Sequence, residues 1–393
     1  MSSRMVTIAL SILLATYVGL LARGIGHPNG WLVDDKNQAQ SYDYVALWAA
    51  GKLTLEGTPA KAYDWVEHRA TQDRGLGRAG SDRYPFAYPP TYLGVMAPFA
   101  ALPYIPSMIV FVALTAGLLG WVCARITGRP EGAVWALAST VTFWNIGVGQ
   151  NGFLTAGLLG AGLLFLPARP VAAGMVFGLL TWKPHLGLLV PIALAAAGQW
   201  RAFQAAAATA VIMALACYFA FGSETWLAWL ASARDFTAAI LGDYKRPFRL
   251  QSLFGVLATL KVPAGAALIA HNVLALALAG VVFIVWRSTA PYALKAAALA
   301  TAALLMSPYV FIYDFTVLTI ASAFLIRHGL DSTSLDRIDI GAIVLANLLV
   351  LAFPFALFPT GFVAALVLAA AIGRRFRARR TSPAQALPIA ALT

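Results

Sequence analysis

The carboxylate of Asp43, in Ser41-Tyr42-Asp43-Tyr44, follows closely on a long apolar run. There it can cap the helix that begins beside it, or act as a general base held at a bilayer surface. Lys183, in Thr181-Trp182-Lys183-Pro184-His185, stands between two apolar stretches. A charge inside a span costs about 2.5–3.5 kcal/mol on insertion scales and marks a functional place by default. The neighbouring proline frees a backbone carbonyl, as breaks beside cavities do. An ammonium there suits a phosphate or a phosphate-bridged sugar; it can also snorkel from a short turn. Gln150 and Asn151, between Gly149 and Gly152, offer amide groups suited to sugar hydroxyls, or form a plain turn. Tyr313 and Asp314 open a later apolar run, where the aspartate can cap a helix or pair with Lys183.

Tyr244-Lys245-Arg246-Pro247-Phe248-Arg249 packs three cations and two aromatics into six residues. Lys245, Arg246 and Arg249 there make an anion-binding patch, or a solvated loop with lipid headgroup contacts. Asp34 and Asp35 are adjacent carboxylates that could hold a divalent cation, but no further ligand follows at a recognisable spacing. Cys123 and Cys217 lie in or beside apolar segments, spell no metal motif and are expected to form no disulfide. His27 and His271 stand alone and are given no role.

The elements that must position these residues are nearly all membrane. Of 393 residues, 60% are hydrophobic and 11% charged. Soluble domains carry about 25% charged residues. The chain is expected to be an all-α polytopic membrane protein forming a single integral membrane domain over 1–393. The run Met5–Ala22 suits a first span, with no small-residue cleavage site after it. Further spans are expected near 103–124, 131–147, 152–167, 170–182, 185–199, 202–221, 264–286, 291–308, 314–328, 338–356 and 358–373, about twelve in all. Several are shorter than the ~20 residues of a full crossing, as half-helices lining a cavity are.

The net charge of +12 would point to nucleic acid in a soluble protein. Here its distribution follows the membrane. Arg125, Arg129, Arg169, Arg201, Arg287, Lys295, Arg327 and Arg337 fall in alternate breaks, and Arg374, Arg375, Arg377, Arg379 and Arg380 end the last helix. Short basic loops stay in the cytoplasm. Both termini are then cytoplasmic, with a basic tail at 374–393. The outer face receives the long segments 26–102 and 222–262 and the turns at Gln150, Lys183 and Ser307–Asp314. Nearly every polar residue outside the basic pattern thus faces one side, as in a single-sided site. A polyprenyl-phosphate headgroup at the outer leaflet is one natural ligand of the Lys245–Arg249 patch.

Segment 26–102 is expected to be ordered. Tyr44–Leu55 reads as an amphipathic interfacial helix, with Tyr44, Trp48, Tyr63 and Trp65 as interfacial aromatics. A second short helix runs from Ala60 to Thr71, followed by a flexible loop Arg74–Arg83. Tyr84-Pro85-Phe86-Ala87-Tyr88-Pro89-Pro90 stiffens the return to the membrane. In the second segment, Ser223 is expected to cap a helix from Glu224 to Leu241.

The chain resembles glycosyltransferase family 87. The resemblance rests on Asp43-Tyr44, Trp48-Ala49-Ala50-Gly51, Gly57 and Tyr63-Asp64. It continues in Phe86-Ala87-Tyr88-Pro89-Pro90, Pro98 and Leu102-Pro103, then in Gly149-Gln150-Asn151, Trp182-Lys183-Pro184 and Ser307-Pro308. It implies a GT-C-like bundle with interfacial helices in the first outer loop. It implies inverting transfer from a polyprenyl-phosphate sugar, often mannose, to a lipid or glycan hydroxyl, with Asp43 as base. The expected substrate-binding set is Lys183, His185, Gln150, Asn151, Tyr88, Lys245, Arg246, Arg249, Tyr313 and Asp314. Many relatives carry a histidine soon after the Ser-Pro motif, where this chain has Tyr309, Tyr313 and Asp314, so acceptor or donor sugar can differ. No P-loop or dinucleotide fingerprint is present, no cofactor beyond the donor is expected, and metal dependence stays open. The expected place is a bacterial inner membrane with a periplasmic site. The competing readings are a transporter or lipid-linked sugar flippase, and a non-catalytic envelope scaffold. No internal repeat favours the transporter.

Overall fold

The computed structural model describes residues 3–25, 31–79, 84–242, 246–332 and 335–381. They are overwhelmingly helical; the one β-pairing among them is the isolated bridge between Val33 and Ala39. The order is α1 (Ser3–Arg23), α2 (Tyr44–Leu55), α3 (Trp65–Leu76), α4 (Pro90–Ala100), α5 (Tyr104–Thr127), α6 (Glu131–Leu137), α7 (Thr140–Val148), α8 (Gly152–Phe165) and α9 (Pro170–Gly178). There follow α10 (Pro184–Gly187), α11 (Leu189–Ala196), α12 (Trp200–Gly242), α13 (Leu253–Thr259), α14 (Ala264–Arg287), α15 (Tyr292–Met306), α16 (Val317–Asp331), α17 (Arg337–Ala356) and α18 (Thr360–Thr381).

Among the described residues, four helices are long and apolar enough to cross a membrane by themselves: α5, α14, α17 and the Trp200–Phe236 part of α12. Shorter apolar helices lie at Leu10–Arg23, Gly152–Phe165, Pro170–Trp182, Pro184–Ala196 and Tyr292–Met306. The expected span 131–147 is two helices, parted at Ala138-Ser139, and the expected span 185–199 is divided between α10 and α11. The α12 rod bends at Gly222, whose φ of 78° no ordinary side chain adopts easily. The second outer segment was expected to begin at that residue.

Two cores form. The larger gathers α5, α8, α15, α16 and α18 around Phe153, Leu299, Ile320 and Leu368. The smaller gathers α2, α4 and the start of α5 around Tyr44, Trp48, Tyr92, Met96 and Phe111. This corrects the reading of α2 as an interfacial amphipathic helix. Its residues Tyr44 to Gly51 are all buried. A helix apolar on every side belongs in a core rather than on a surface. Trp48 donates its indole N–H to the Leu102 carbonyl at 2.9 Å, and the Tyr44 hydroxyl meets Ser107 at 2.7 Å. Trp65 alone of the four aromatics keeps a surface place, with Arg69 over its ring.

The helix expected over Ala60–Thr71 is also redrawn. A short 3₁₀ turn at Pro59–Tyr63 ends at Asp64, whose carboxylate accepts from the amides of Val66 and Glu67. That cap starts α3, which runs on through Arg74 to Leu76 before Gly77 stops it. Residues 80–83 of the expected loop lie outside the described residues.

Residues 374–381, expected as a basic tail, continue α18. Arg374 and Arg375 reach Asp336 and Asp339 at the start of α17. Asp339 is fully buried and accepts from both arginines. Asp339→Ala is expected to cost about 1–3 kcal/mol, because it removes the buried carboxylate that both arginines share and leaves Asp336 as their remaining partner. Lys61→Ala, which breaks an exposed pair with Glu67, should cost at most about 1 kcal/mol. Unfolding of both variants in detergent micelles checks the contrast.

A polar site at the helix breaks

Asp43 stands immediately before α2, but its side chain makes no cap hydrogen bond. Its backbone is already helical, with φ −50° and ψ −30°, so the carboxylate is not aimed back at the first amides. The carboxylate instead accepts from the Gln150 amide, Nε2 to Oδ2, at 3.3 Å. Burial pushes its pKa up to about 6; the Gln150 hydrogen bond and the charge of Arg249 oppose that rise. The capping alternative is thereby set aside for the side chain.

Gln150 and Asn151 form the turn between α7 and α8. Gly149 adopts a φ of 66°, and a Cβ on it would lie 2.7 Å from that of Tyr44. A Cβ on Gly152 would lie 2.3 Å from the Tyr313 carbonyl. Both glycines are required by close approach, one to the Asp43 helix and one to the Asp314 turn. The Gln150 side-chain oxygen accepts from the Tyr88 hydroxyl at 3.3 Å and from the Asn151 amide at 3.0 Å. Burial, with the nearby Asp314 carboxylate, pushes the Tyr88 phenol well above its ordinary range, so it remains a donor.

Lys183 is 3% exposed and Asp314 1%. They form a buried ion pair, and Lys183 also donates to Asn151 Oδ1 at 2.9 Å. The Tyr313 ring lies 5.2 Å from the ammonium. The second oxygen of Asp314 accepts from the Phe311 amide at 3.0 Å, so this aspartate both pairs with Lys183 and braces its own turn.

The cationic segment is fastened to the same turn. Gln251 donates its backbone amide to the Val310 carbonyl at 2.8 Å, and Ser252 its hydroxyl to Pro308 at 2.9 Å. Arg249 is exposed, within electrostatic reach of Asp43; Arg246 is exposed nearby in the chain. Lys245 lies outside the described residues. His185 follows Lys183, with its Nε2 buried and without a hydrogen-bond partner in the described residues. Asp34 accepts from the amides of Lys36 and Gln38, folding a turn, and Asp35 is exposed. Among the described residues, no group of three or more His, Cys, Asp or Glu is arranged to hold a metal. His271, given no role, bonds the Met306 carbonyl at 2.9 Å and ties α14 to the end of α15.

Sequence reasoning gave no site role to Tyr92, Trp182 or Asn145. Tyr92 stacks on Trp182 with ring centres 4.6 Å apart, and Tyr88 packs on Tyr92 at 4.8 Å. Asn145 accepts from the Gly152 amide and holds the turn shut. A lone asparagine in an apolar run was the only signal for it. A cluster of aromatics around Pro89-Pro90 was the signal for Tyr92.

The described residues give a helical protein with several apolar helices of membrane type, and a carboxylate, a polar relay and an exposed arginine lie where several of its helices break. The pattern of glycosyltransferase family 87 matches residues 86–308, more than half of the chain, and the chain belongs to that family. It is a glycosyltransferase, so the enzyme reading stands over the transporter and the scaffold. No curated protein matches the chain. Tyr88, Gln150, Asn151, Lys183, His185, Lys245, Arg246 and Arg249 fall inside the matched residues; Asp43 precedes them, and Tyr313 and Asp314 follow.

A base must be ionised to accept a proton. If Asp43 serves as one, activity should fall as pH is lowered through about 6. Arg249→Gln should move that midpoint upward, because it removes an attraction that favours the charged form. A pH–rate profile of both proteins checks the sign.

Proposed function

We propose that this protein is an inverting glycosyltransferase that takes a sugar, mannose in the leading reading, from a polyprenyl-phosphate donor. The acceptor is a lipid or glycan hydroxyl at the periplasmic face of a bacterial inner membrane. The chain crosses about twelve times in a GT-C-like arrangement, with both termini cytoplasmic. Asp43 removes the acceptor proton. The acceptor oxygen attacks the anomeric carbon as the bond from that carbon to the phosphate oxygen breaks. Polyprenyl phosphate leaves from the opposite face with the electron pair, and the charge it carries is met by Arg249 and Arg246.

The observation that carries this reading is the free function of Asp43. Its carboxylate caps nothing, accepts from Gln150 and lies in the field of Arg249. A base and a phosphate-binding cation on either side of one reacting carbon are what displacement requires. Tyr88 and Tyr313 are only half-buried and bring hydroxyls and ring faces to the same place, which suits a sugar. An apolar groove of about 250 Å³, lined by Leu180, Thr181, Pro184, Leu188 and Phe203, runs beside Lys183. It offers a polyprenyl chain a path from the bilayer.

Asp43→Asn is expected to abolish transfer from polyprenyl-phosphate mannose while the purified protein still binds that donor. Full activity in the variant would remove the base assignment. Arg249→Ala and Arg246→Ala should weaken donor binding by roughly tenfold each, the scale of one charge-assisted contact. A donor series with mannose, glucose and arabinose attached identifies the sugar.

A further inference from the structure

Sequence position alone makes Lys183 a candidate phosphate ligand, but its surroundings leave it nothing to offer one. Its ammonium has three donors. One is taken by Asp314, one by Asn151 Oδ1, and the remaining side is covered by the Tyr313 ring. Asp314 is equally occupied, by Lys183 and by the Phe311 amide. The pair is closed to a ligand, yet it connects directly to the carboxylate proposed as base.

The connection has a fixed sense at each step. A lysine can only donate, so Asn151 must turn its oxygen toward Lys183. Asn151 is fully buried, and its backbone amide, which also can only donate, points at Gln150 Oε1. The Tyr88 hydroxyl donates to the same oxygen. Two donors on Oε1 leave the Gln150 amide one orientation, with Nε2 toward Asp43 Oδ2. Oδ2 of Asp43 is thus held, which sets the direction of Oδ1.

We infer that Lys183, with Asp314 and Asn151, is a positioning residue that aims the Asp43 carboxylate through Gln150 and does not itself bind the donor. This rests on the reading of Asp43 as base. Gln150 is the last link, and the one that donates to the carboxylate.

The test is steady-state transfer by full-length protein in nanodiscs, with polyprenyl-phosphate mannose varied at several pH values. The variants are Gln150→Met, the uncharged pair Lys183→Met with Asp314→Asn, and all three changes together. Gln150→Met and the uncharged pair should each lower kcat about 100-fold, the loss expected from a misplaced reacting group, with donor KM unchanged. In Gln150→Met the acidic limb should move to higher pH, since Asp43 loses the hydrogen bond that favours its charged form. In the uncharged pair it should move the same way, since the Asn151 turn loses its anchor and Gln150 its fixed place. The combination should be no slower than either alone, because both act through one chain of contacts. If the uncharged pair fails to fold, Asn151→Leu takes its place and cuts the same chain without removing a charge. A raised donor KM with kcat kept, an unmoved acidic limb, or additive losses would overturn the inference. If those results come with an inactive Asp43→Asn, positioning alone fails; an active Asp43→Asn overturns the base reading and this inference together.

Discussion

A lysine ammonium cannot stay buried among apolar helices without a counter-charge and hydrogen-bond acceptors. Leaving one charge of such a pair unmatched costs about 3–5 kcal/mol. Lys183 and Asp314 meet that demand for each other across 131 residues of chain. Their pairing joins the break between α9 and α10 to the 3₁₀ turn before α16. Asn151 adds the α7–α8 turn to the same point. Three interruptions in apolar helices are therefore held in one place by one ion pair. Gln150, Tyr88 and Asp43 are reached from there by hydrogen bonds.

The surrounding backbone is arranged to let that happen. Gly149 and Gly152 bracket the turn because Tyr44 lies against one and the Tyr313 carbonyl against the other. The turn is wedged between the helix that carries Asp43 and the turn that carries Asp314. Packing beside the turn is aromatic: Tyr92 stacks on Trp182, and Tyr88 packs at a tilt against both. Rigid rings beside the relay limit how far Gln150 can move. A half-buried carboxylate gains basicity from this environment, while Gln150 and Arg249 keep it from becoming fully protonated near neutral pH.

The packing of α2 shows why a surface reading of that helix failed. Tyr44, Trp48 and their neighbours have the composition of an interfacial segment, and aromatic residues do favour that boundary. Composition does not reveal that α4 and the start of α5 fold over them. Ser107 and the Leu102 carbonyl supply the polar contacts that the rings would otherwise take from headgroups. The helix bearing Asp43 is consequently seated in protein, which suits a carboxylate whose direction matters. The Asp336–Asp339–Arg374–Arg375 cluster joins the ends of α17 and α18 by the same rule of paired charge, without serving the site.

The sequence by itself determined the helical membrane class, the approximate helices, the break at Gly222 and the family. Apolar run length, charge placement and local motifs express these, and each acts over a few residues. It also marked Asp43, Gln150, Asn151, Lys183 and Asp314 as polar residues out of place. It left open whether Asp43 caps α2 and whether Lys183 snorkels or pairs. Those questions turn on partners 107 and 131 residues away. Only the tertiary structure decided that the Asp43 side chain turns to Gln150, that Lys183 pairs with Asp314, and that Asp34 is spent on its own turn. A side chain's hydrogen-bond partner depends on which helices come to lie beside it, and no local pattern carries that information.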